Sequence, residues 1–387
     1  MEQNSIIYLD NAATTFPKPR HVVEEVAKSI VRYGGNAGRG SHSIAMAAAE
    51  KVFECRSLAA SFFDAAGPES VFFTMNTTYA INFVIKGLLK KGDHVIISDI
   101  EHNAVFRPIW KLAKEGVIEY DVFRSMACDD RRNPIRICAS IARLIRPNTK
   151  LVICAHTSNL CGLTMPIAHI GRFCRRHGIY FAVDAAQSAG HEPISVKEMC
   201  IDALCVPSHK GLYGIQGGGM VVLGEGCQLD TLAEGGNGVN SLEGEMPDFS
   251  PERYEAGTLP LPAIAGLCEG LKWVSALGVE NISSHERALF GYAKGLLGKI
   301  DRVKLVGDGY EGSTLLFTVE GKGSEEVARQ LDSFGICVRG GYHCSALGHK
   351  TLGTLESGAV RVSFGAFNRS WQIDELEYAL RRIVKRN

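Results

Sequence analysis

One lysine and one aspartate stand out in the sequence as groups that could act together in catalysis. Lys210 follows the short apolar run 203–206, and Asp184 closes a second apolar run at 179–183. Runs of this length and composition are typical of buried strands that carry ligand groups at their carboxyl ends. The sequence therefore predicts an amine and a carboxylate at one edge of a sheet. For an arbitrary pair of this kind, an exposed lysine and a strand-end aspartate in an ordinary α/β loop would be the better interpretation.

This pair supplies what pyridoxal phosphate (PLP) needs. The cofactor requires an amine for a Schiff base and a carboxylate that keeps its pyridine nitrogen protonated, so that the ring can accept electrons. Ser208 and His209, beside the lysine, could donate hydrogen bonds to the phosphate. Thr77 and Thr78 open a predicted helix after the predicted strand 71–74, and helix N-termini bind anions. The two threonines are a predicted phosphate cradle, and one of them could also cap the helix.

One cysteine differs from the other eleven. Cys344 lies in a polar, glycine-flanked loop beside His343 and close to Arg339, a neighbourhood that stabilises thiolate and leaves it accessible. Most of the others lie in apolar segments, as Cys154 and Cys205 do, and are expected to be small core hydrophobes. No spacing indicates a Cys-x-x-Cys pair or a zinc finger, so we expect no metal site. Cys344 is the predicted reactive thiol, and a buried spare thiol is the alternative.

Length and charge limit the classes of function. With 387 residues the chain can bury a large core and is expected to form two closely packed domains. Lys+Arg and Asp+Glu both number 42, which argues against nucleic acid or an anionic membrane as the main partner. The first residues lack the features of a secretory signal, and no apolar run approaches the ~20 residues of a membrane span. We therefore expect a soluble, cytoplasmic protein.

Strands that alternate with helical stretches must position these groups. The alternation predicts an α/β fold with a mainly parallel, doubly wound sheet and helices on both faces. The glycine run 214–219 precedes a strand rather than opening a helix, so it does not form a dinucleotide-binding loop. A smaller α+β part is predicted from about Val303. We expect a large domain over 16–260 and a small domain made of 1–15 and 261–387.

Several motifs follow one another along nearly the whole chain. They are Tyr-Leu-Asp-Asn-Ala-Ala-Thr-Thr at 8–15, Arg-Gly-x-His at 39–42, Glu-His at 101–102, Asp-Ala-Ala-Gln at 184–187, Ser-His-Lys at 208–210, Glu-x-Gly-Thr at 255–258, Arg-x-Gly-x-His-Cys at 339–344 and Arg-x-Ser with a later Phe-Asn at 361–368. Together they resemble the cysteine desulfurase and selenocysteine lyase branch of the class V aminotransferase superfamily, and the Suf-type members in particular. The resemblance implies the PLP-dependent transferase fold of type I, with a mainly parallel seven-stranded sheet.

The resemblance also implies which residues hold the cofactor. Lys210 would form the Schiff base, Asp184 would pair with the pyridine nitrogen, and Gln187 would hydrogen-bond the ring hydroxyl. His102 would stack on the ring and could shuttle a proton. The residues implied to contact the phosphate are Thr77, Thr78, Ser208, His209 and, from the neighbouring subunit of a homodimer, Thr258. Two departures from the family pattern are Asn76, where glycine is usual, and Leu259-Pro260, where Pro-Asn is common.

Further implied roles concern the substrate. Arg361 would hold its carboxylate with the bidentate geometry for which arginine is suited. Asn159 would lie near both the cofactor hydroxyl and the substrate. Arg39 and His42 would also lie near the substrate, although a solvated loop is an equally good interpretation of that segment. Cys344 would accept the sulfur.

The predicted function is PLP-dependent desulfuration of L-cysteine, which leaves a Cys344 persulfide and L-alanine. L-Selenocysteine is open as a second substrate, and the sulfur is expected to pass to an acceptor protein or a reductant. The nearest alternative is another class V enzyme, an aminotransferase, a kynureninase-like hydrolase or a C–S lyase, in which Cys344 takes no part. A different kind of alternative is a non-catalytic sulfur carrier or scaffold that keeps the fold.

Overall fold

The computed structural model describes residues 6–38, 40–125, 133–307, 309 and 311–385. The strands of these residues, in chain order, are β1 (Ile7–Tyr8), β2 (Val71–Thr74), β3 (His94–Ser98), β4 (Glu119–Phe123), β5 (Thr149–Ala155), β6 (Tyr180–Asp184), β7 (Ala203–Pro207), β8 (Gly219–Leu223), β9 (Val303–Val306), β10 (Thr314–Val319), β11 (Ile336–Cys337), β12 (Arg339–Gly341) and β13 (Ala359–Ser363). The α-helices are α1 (Arg20–Val31), α2 (Ser43–Phe62), α3 (Thr77–Leu88), α4 (Asn103–Lys114), α5 (Pro134–Ala142), α6 (Ile167–Arg176), α7 (Leu261–Leu277), α8 (Val279–Leu297), α9 (Ser324–Asp332), α10 (Ala346–Thr351) and α11 (Ser370–Lys385).

A seven-stranded sheet forms the centre of the fold, in the order β2-β8-β7-β6-β5-β3-β4. The pairs from β7 through β6, β5 and β3 to β4 are parallel, whereas β8 runs antiparallel to both of its neighbours. The sheet is therefore mixed and mostly parallel, and the predicted α/β fold class is confirmed. The edge strand β4 was not predicted, because its Glu-Tyr-Asp-Val-Phe sequence is half polar.

Both faces of this sheet are covered by helices. Alternate side chains of β5, β6 and β7 enter two separate apolar cores, as expected for strands buried on both sides. One core includes side chains from α2, α5, α6 and α7, and the other includes side chains from α3 and α4. The amino ends of α3 and α4 therefore meet the carboxyl ends of the parallel strands, where ligands bind in sheets of this type.

A smaller antiparallel sheet has the order β12-β13-β10-β9, and β1 pairs in parallel with β11 beside it. Its core contains side chains from α8, α9 and α11 and from the N-terminal segment, such as Ile7 and Leu9. The domain boundaries themselves stay a prediction. Among the helices of the described residues, none is both long enough and apolar enough to cross a bilayer.

A buried ion pair ties α2 to the segment that carries Thr258. Arg56 donates from Nη1 and Nη2 to the two carboxylate oxygens of Glu255, each at 2.9 Å, and the Phe73 N–H donates to Oε1 at 2.7 Å. We expect Arg56→Ala to lower the free energy of unfolding by about 3–5 kcal/mol, because it leaves a buried carboxylate without its counter-charge. Urea titration measures the change.

The matched control for that substitution is Arg20→Ala. Arg20 pairs with Glu24 on the exposed surface of α1, so its loss should cost less than about 1 kcal/mol. If the two variants lost equal free energy of unfolding, the buried pair would contribute no more to stability than the exposed one, contrary to this prediction.

Candidate active site

One cavity gathers most of the residues that the sequence singles out. It lies between the carboxyl ends of β5, β6 and β7 and the amino ends of α3 and α4. The predicted side chains that line it are Thr77, Thr78, His102, Asn159, Asp184, Gln187, His209 and Lys210.

Lys210 and Asp184 face this cavity from the ends of β7 and β6. Burial lowers the pKa of Lys210 to about 8, while the negative charge of Asp184 acts in the opposite direction. Burial raises the pKa of Asp184. Two interactions act in the opposite direction: the Ala186 N–H, which donates to Oδ1 at 2.9 Å, and the positive charge of Lys210. The cavity therefore makes an uncharged amine accessible near neutral pH and holds a carboxylate ready for a cationic partner.

The shifted pKa of Lys210 can be measured in protein from which any cofactor has been removed. We expect acetylation of Lys210 by acetic anhydride to have its midpoint near pH 8, not near 10.5, because only the uncharged amine reacts. In Asp184→Asn the midpoint should fall further, since the stabilising negative charge is lost. Mass spectrometry of the Lys210 peptide gives the rate, and exposed lysines in the same digest are the internal control. A midpoint near 10.5 would contradict the burial of the amine.

His102 caps the amino end of α4. Its Nδ1 accepts the Ala104 N–H at 3.0 Å, so the ring proton belongs on Nε2. Burial, together with the charges of Lys210 and Arg361, lowers the pKa of His102 to about 4. The imidazole is thus neutral at ordinary pH, and it can pack against a flat ring or exchange a proton through Nε2.

The end of the cavity at α3 is suited to an anion. Asn76 caps this helix by accepting the Tyr79 N–H at 3.1 Å, so neither threonine is needed as the cap. The Thr77 hydroxyl and Nδ1 of His209 are buried without a hydrogen-bond partner among the described residues. Buried polar atoms are seldom left unpaired, so these two atoms indicate a ligand. Asn76, which stands where the family usually has glycine, therefore caps the helix and leaves the Thr77 hydroxyl available.

Gln187 connects the cavity to the N-terminal segment. Its Nε2 donates to the carbonyl of Ala12 at 2.9 Å, which leaves its amide oxygen and a second N–H for other partners. In the same segment, the Lys18 amine donates to the carbonyl of His209 at 2.7 Å, and burial lowers the pKa of Lys18 to about 7. Lys18 is thus a second lysine with a depressed pKa close to Lys210, which the sequence did not reveal.

Arg361 lies behind Asn159 rather than in the cavity lining. Its Nη1 donates to the Asn159 carbonyl at 3.1 Å and its Nη2 to Oδ1 of Asp10 at 2.9 Å, while Nε is buried without a described partner. Arg339 donates from Nε to the other oxygen of Asp10 at 3.0 Å. Nη2 of Arg361 is therefore already occupied by Asp10, and the predicted bidentate contact of Arg361 with a substrate carboxylate stays a prediction.

Asp10 was missed as a site residue. It ends an apolar run just as Asp184 does, and this signal in the Tyr-Leu-Asp motif could have identified it. A second missed residue is Glu101, which is fully buried and accepts hydrogen bonds from the Ser98 hydroxyl and, at 3.0 Å, from the Ala155 N–H. Burial raises the pKa of Glu101 to about 8.

Three predicted residues lie away from the cavity. Ser208 is buried outside the lining and donates its hydroxyl to the carbonyl of Ile215, so its predicted contact with a phosphate stays a prediction. Thr258 is exposed, with its hydroxyl 3.4 Å from Nδ2 of Asn36. His42 is exposed and caps α2, accepting the Ala45 N–H. Arg39 lies outside the described residues.

Cys344 is exposed and lies next to His102. The Asn103 N–H, at the start of α4, donates to the carbonyl of Cys344 at 2.7 Å. Asn159 donates to the His343 carbonyl at 2.8 Å, and the Ser345 hydroxyl donates to the Glu101 carbonyl at 3.0 Å. These bonds hold the loop against the cavity. His343 and Cys344 have φ angles of 51° and 55°, so the loop keeps both residues in the left-handed region that is unfavourable for side chains.

Comparison with known proteins agrees with this arrangement. The family model described as aminotransferase class-V matches residues 7–376. A probable cysteine desulfurase of Methanothermobacter thermautotrophicus is 34% identical, over 98% of this chain and 94% of that protein. Another, of Mycolicibacterium paratuberculosis, is also 34% identical, but this chain spans only 56% of its length.

Solved structures give the same result. The apo structure of a cysteine desulfurase from Thermococcus onnurineus NA1 has a TM-score of 0.88 and 30% identity, covering 99% of this chain and 95% of that one. The cysteine desulfurase CsdA of Escherichia coli, in an S-sulfonic acid form, has a TM-score of 0.86 and 25% identity, covering 99% and 96%. The resemblance seen in the sequence is confirmed: the chain belongs to the class V aminotransferase family, and within that family to the cysteine desulfurases.

Proposed function

We propose that this protein uses PLP to release the sulfur of L-cysteine, producing L-alanine and a persulfide on Cys344. The observation that carries the proposal is the meeting of four groups in one place. A lysine with a depressed pKa faces a buried carboxylate, a neutral histidine lies beside them, and an accessible cysteine adjoins that histidine.

The residues present fit the cofactor at both of its ends. Thr77 and His209 offer unpaired buried polar atoms to a phosphate at the amino end of α3. Gly219 lets the chain approach this place closely, because a Cβ there would lie 2.7 Å from the Asn76 backbone. At the other end, Asp184 is the buried carboxylate that a pyridine nitrogen would face, and its raised pKa would fall beside a cationic ring.

When bound, PLP supplies an electron-accepting ring that makes the substrate's Cα proton acidic. The lowered pKa of Lys210 lets its amine accept that proton near neutral pH. His102 excludes water from one side of the cavity and, being neutral, can donate or accept a proton at Nε2. Asp184 faces the same cavity as Lys210, and the hydrogen bond from the Ala186 N–H holds the Asp184 carboxylate in position.

Arg361 is the proposed anchor for the substrate carboxylate. Its buried Nε has no partner among the described residues, and the hydrogen bond to the Asn159 carbonyl fixes the plane of the guanidinium. A carboxylate that binds Nε would satisfy this donor and place the substrate next to Asn159, which lines the cavity.

Cys344 is the proposed acceptor of sulfur. Its thiolate attacks the substrate's sulfur, the carbon–sulfur bond breaks, and the electron pair of that bond remains with the carbon skeleton. A proton taken up at that carbon gives alanine, while Cys344 keeps the sulfur as a persulfide. The Asn103 N–H at the start of α4 donates to the Cys344 carbonyl and so holds this residue beside His102.

The same proposal includes a homodimer in which Thr258 reaches the neighbouring site. Thr258 is exposed and follows Gly257, whose φ of 92° lies in the region that favours glycine. Arg56 and Glu255 anchor the base of this segment. We also propose a cytoplasmic location, because all described cysteines are free thiols and a reducing compartment keeps them so. Sulfur would pass from there to an acceptor protein.

Product analysis tests this function. With L-cysteine, we expect alanine and sulfide in equal amounts when a reductant is present; with L-selenocysteine, alanine and selenide would show a second substrate. Pyruvate and ammonia would instead indicate a C–S lyase, and a keto acid formed with consumption of an amino acceptor would indicate an aminotransferase.

A further inference from the structure

A groove of about 440 Å³ runs from Cys344 between helices α3 and α4. It shares Thr78, His102 and Ala104 with the lining of the active-site cavity, so the groove and the cavity meet at the histidine. Cys344 lies at this junction. A thiol that enters through the groove therefore reaches the cysteine without passing through the cofactor position.

The groove carries an excess of positive charge. Its cationic residues are Lys86 on α3 and Arg107 and Lys111 on α4, all of them exposed. Among the described residues that line the groove, the only carboxylate is that of Glu115, whose Oε1 is 3.8 Å from the amine of Lys111. Within the described residues, no carboxylate forms an ion pair with Lys86 or Arg107. Because both helices start at the active site, their dipoles also make the Cys344 end positive.

The spacing of these charges shows how long an occupant must be. Lys86 is eight residues beyond Thr78, and Lys111 is nine beyond His102, which correspond to about 12–14 Å along a helix. A small thiol cannot reach the sulfur and these cations together. An extended peptide covers the same distance with about four residues.

We propose that this groove binds an acidic segment of the sulfur-acceptor protein, with the acceptor's cysteine three or four residues from its acidic side chains. The inference deepens the proposed function and rests on it, because only a Cys344 persulfide requires an acceptor. In the transfer, the acceptor thiolate attacks the outer sulfur of the persulfide. The sulfur–sulfur bond breaks, Cys344 leaves as thiolate, and the acceptor becomes the persulfide.

Thiol–disulfide exchange tests the groove without turnover. The probes are two peptides, each with a cysteine, two glycines and then three glutamates or three glutamines, activated as 2-pyridyl disulfides. Attack by Cys344 on the peptide sulfur releases pyridine-2-thione, which is followed by absorbance, and Cys344→Ser gives the background. We expect the glutamate peptide to react about tenfold faster at low salt and the ratio to approach one at about 0.5 M salt.

Charge reversal identifies the residues responsible. Lys86→Glu with Arg107→Glu should abolish the preference and leave the rate of the glutamine peptide unchanged. The matched control is Lys299→Glu with Lys304→Glu, two exposed positions at the end of α8 and on β9, outside the groove, which should keep the preference. Equal rates for the two peptides with the unaltered protein, or a preference that survives the groove substitutions, would overturn the proposal. The 2-pyridyl disulfide of mercaptosuccinate, a small dicarboxylate thiol, would also overturn the proposal if it reacted with Cys344 as fast as the glutamate peptide does. That result would show that a small thiol is enough to occupy the groove.

The two proposals fail in different ways. If L-cysteine leaves no persulfide on Cys344, the proposed function fails whatever the exchange rates are. If the persulfide forms but Cys344 reacts with the two activated peptides at equal rates, the function stands and the acidic segment is excluded.

Discussion

Replacing Lys210 by alanine should lower the rate of alanine formation from L-cysteine by about 10³-fold or more, because one amine both holds the cofactor and accepts the Cα proton. The lowered pKa of about 8 makes that amine available near neutral pH. Chromatographic measurement of alanine gives the rate. Borohydride reduction followed by peptide mass spectrometry gives an independent result, since the cofactor mass should be found on the peptide that contains Lys210.

Lys18 provides the control that this experiment needs. Its pKa is also lowered, to about 7, and its amine contacts the carbonyl of His209, so it is the competing candidate for the covalent bond. In Lys18→Ala the reduced cofactor should still be found on Lys210. A cofactor mass on the Lys18 peptide of the unaltered protein, or substantial turnover by Lys210→Ala, would show that the lysine has been misassigned.

Replacing Cys344 by serine should lower sulfide release from L-cysteine by about 10²-fold or more, because a hydroxyl at this position cannot accept sulfur. Cys344 is exposed, so the substitution leaves the core unchanged and the covalent bond at Lys210 should be unaffected. Turnover of L-selenocysteine should fall less, because the weaker carbon–selenium bond depends less on a nucleophile. Sulfide and selenide are measured in parallel.

Cys200→Ser is the control, since Cys200 is partly accessible and lies outside the lining of both the cavity and the groove. It should turn over L-cysteine at the unaltered rate. Undiminished sulfide release by Cys344→Ser would remove this thiol from the mechanism and favour another class V activity.

The parts of the site that can be read from the sequence are those set by local patterns. Asp184 and Lys210 each follow a short apolar run, and the structure places these runs as neighbouring strands of the sheet. Thr77 follows a strand and opens a helix, which is again a local signal. Patterns of this kind survive folding because burial of an apolar strand fixes where its last residue emerges.

Other features depend on packing between distant segments and are invisible in one sequence. The pairing of Asp10 with Arg361 joins residues 351 positions apart. The antiparallel direction of β8 depends on how the chain returns to the sheet, since parallel and antiparallel strands can both be continuous apolar runs. The hydroxyl of Ser208 turns to Ile215 because the tight loop brings that carbonyl within reach.

The bridge formed by Asp10 also limits how the amino terminus can be altered. One carboxylate neutralises two guanidinium groups, Arg361 beneath the cavity and Arg339 at the base of the Cys344 loop. A truncation that removes Asp10, or a bulky fusion placed directly against β1, would leave both guanidinium groups without this carboxylate at once. The carboxyl terminus contributes no residue to this bridge, so it is the better position for an expression tag.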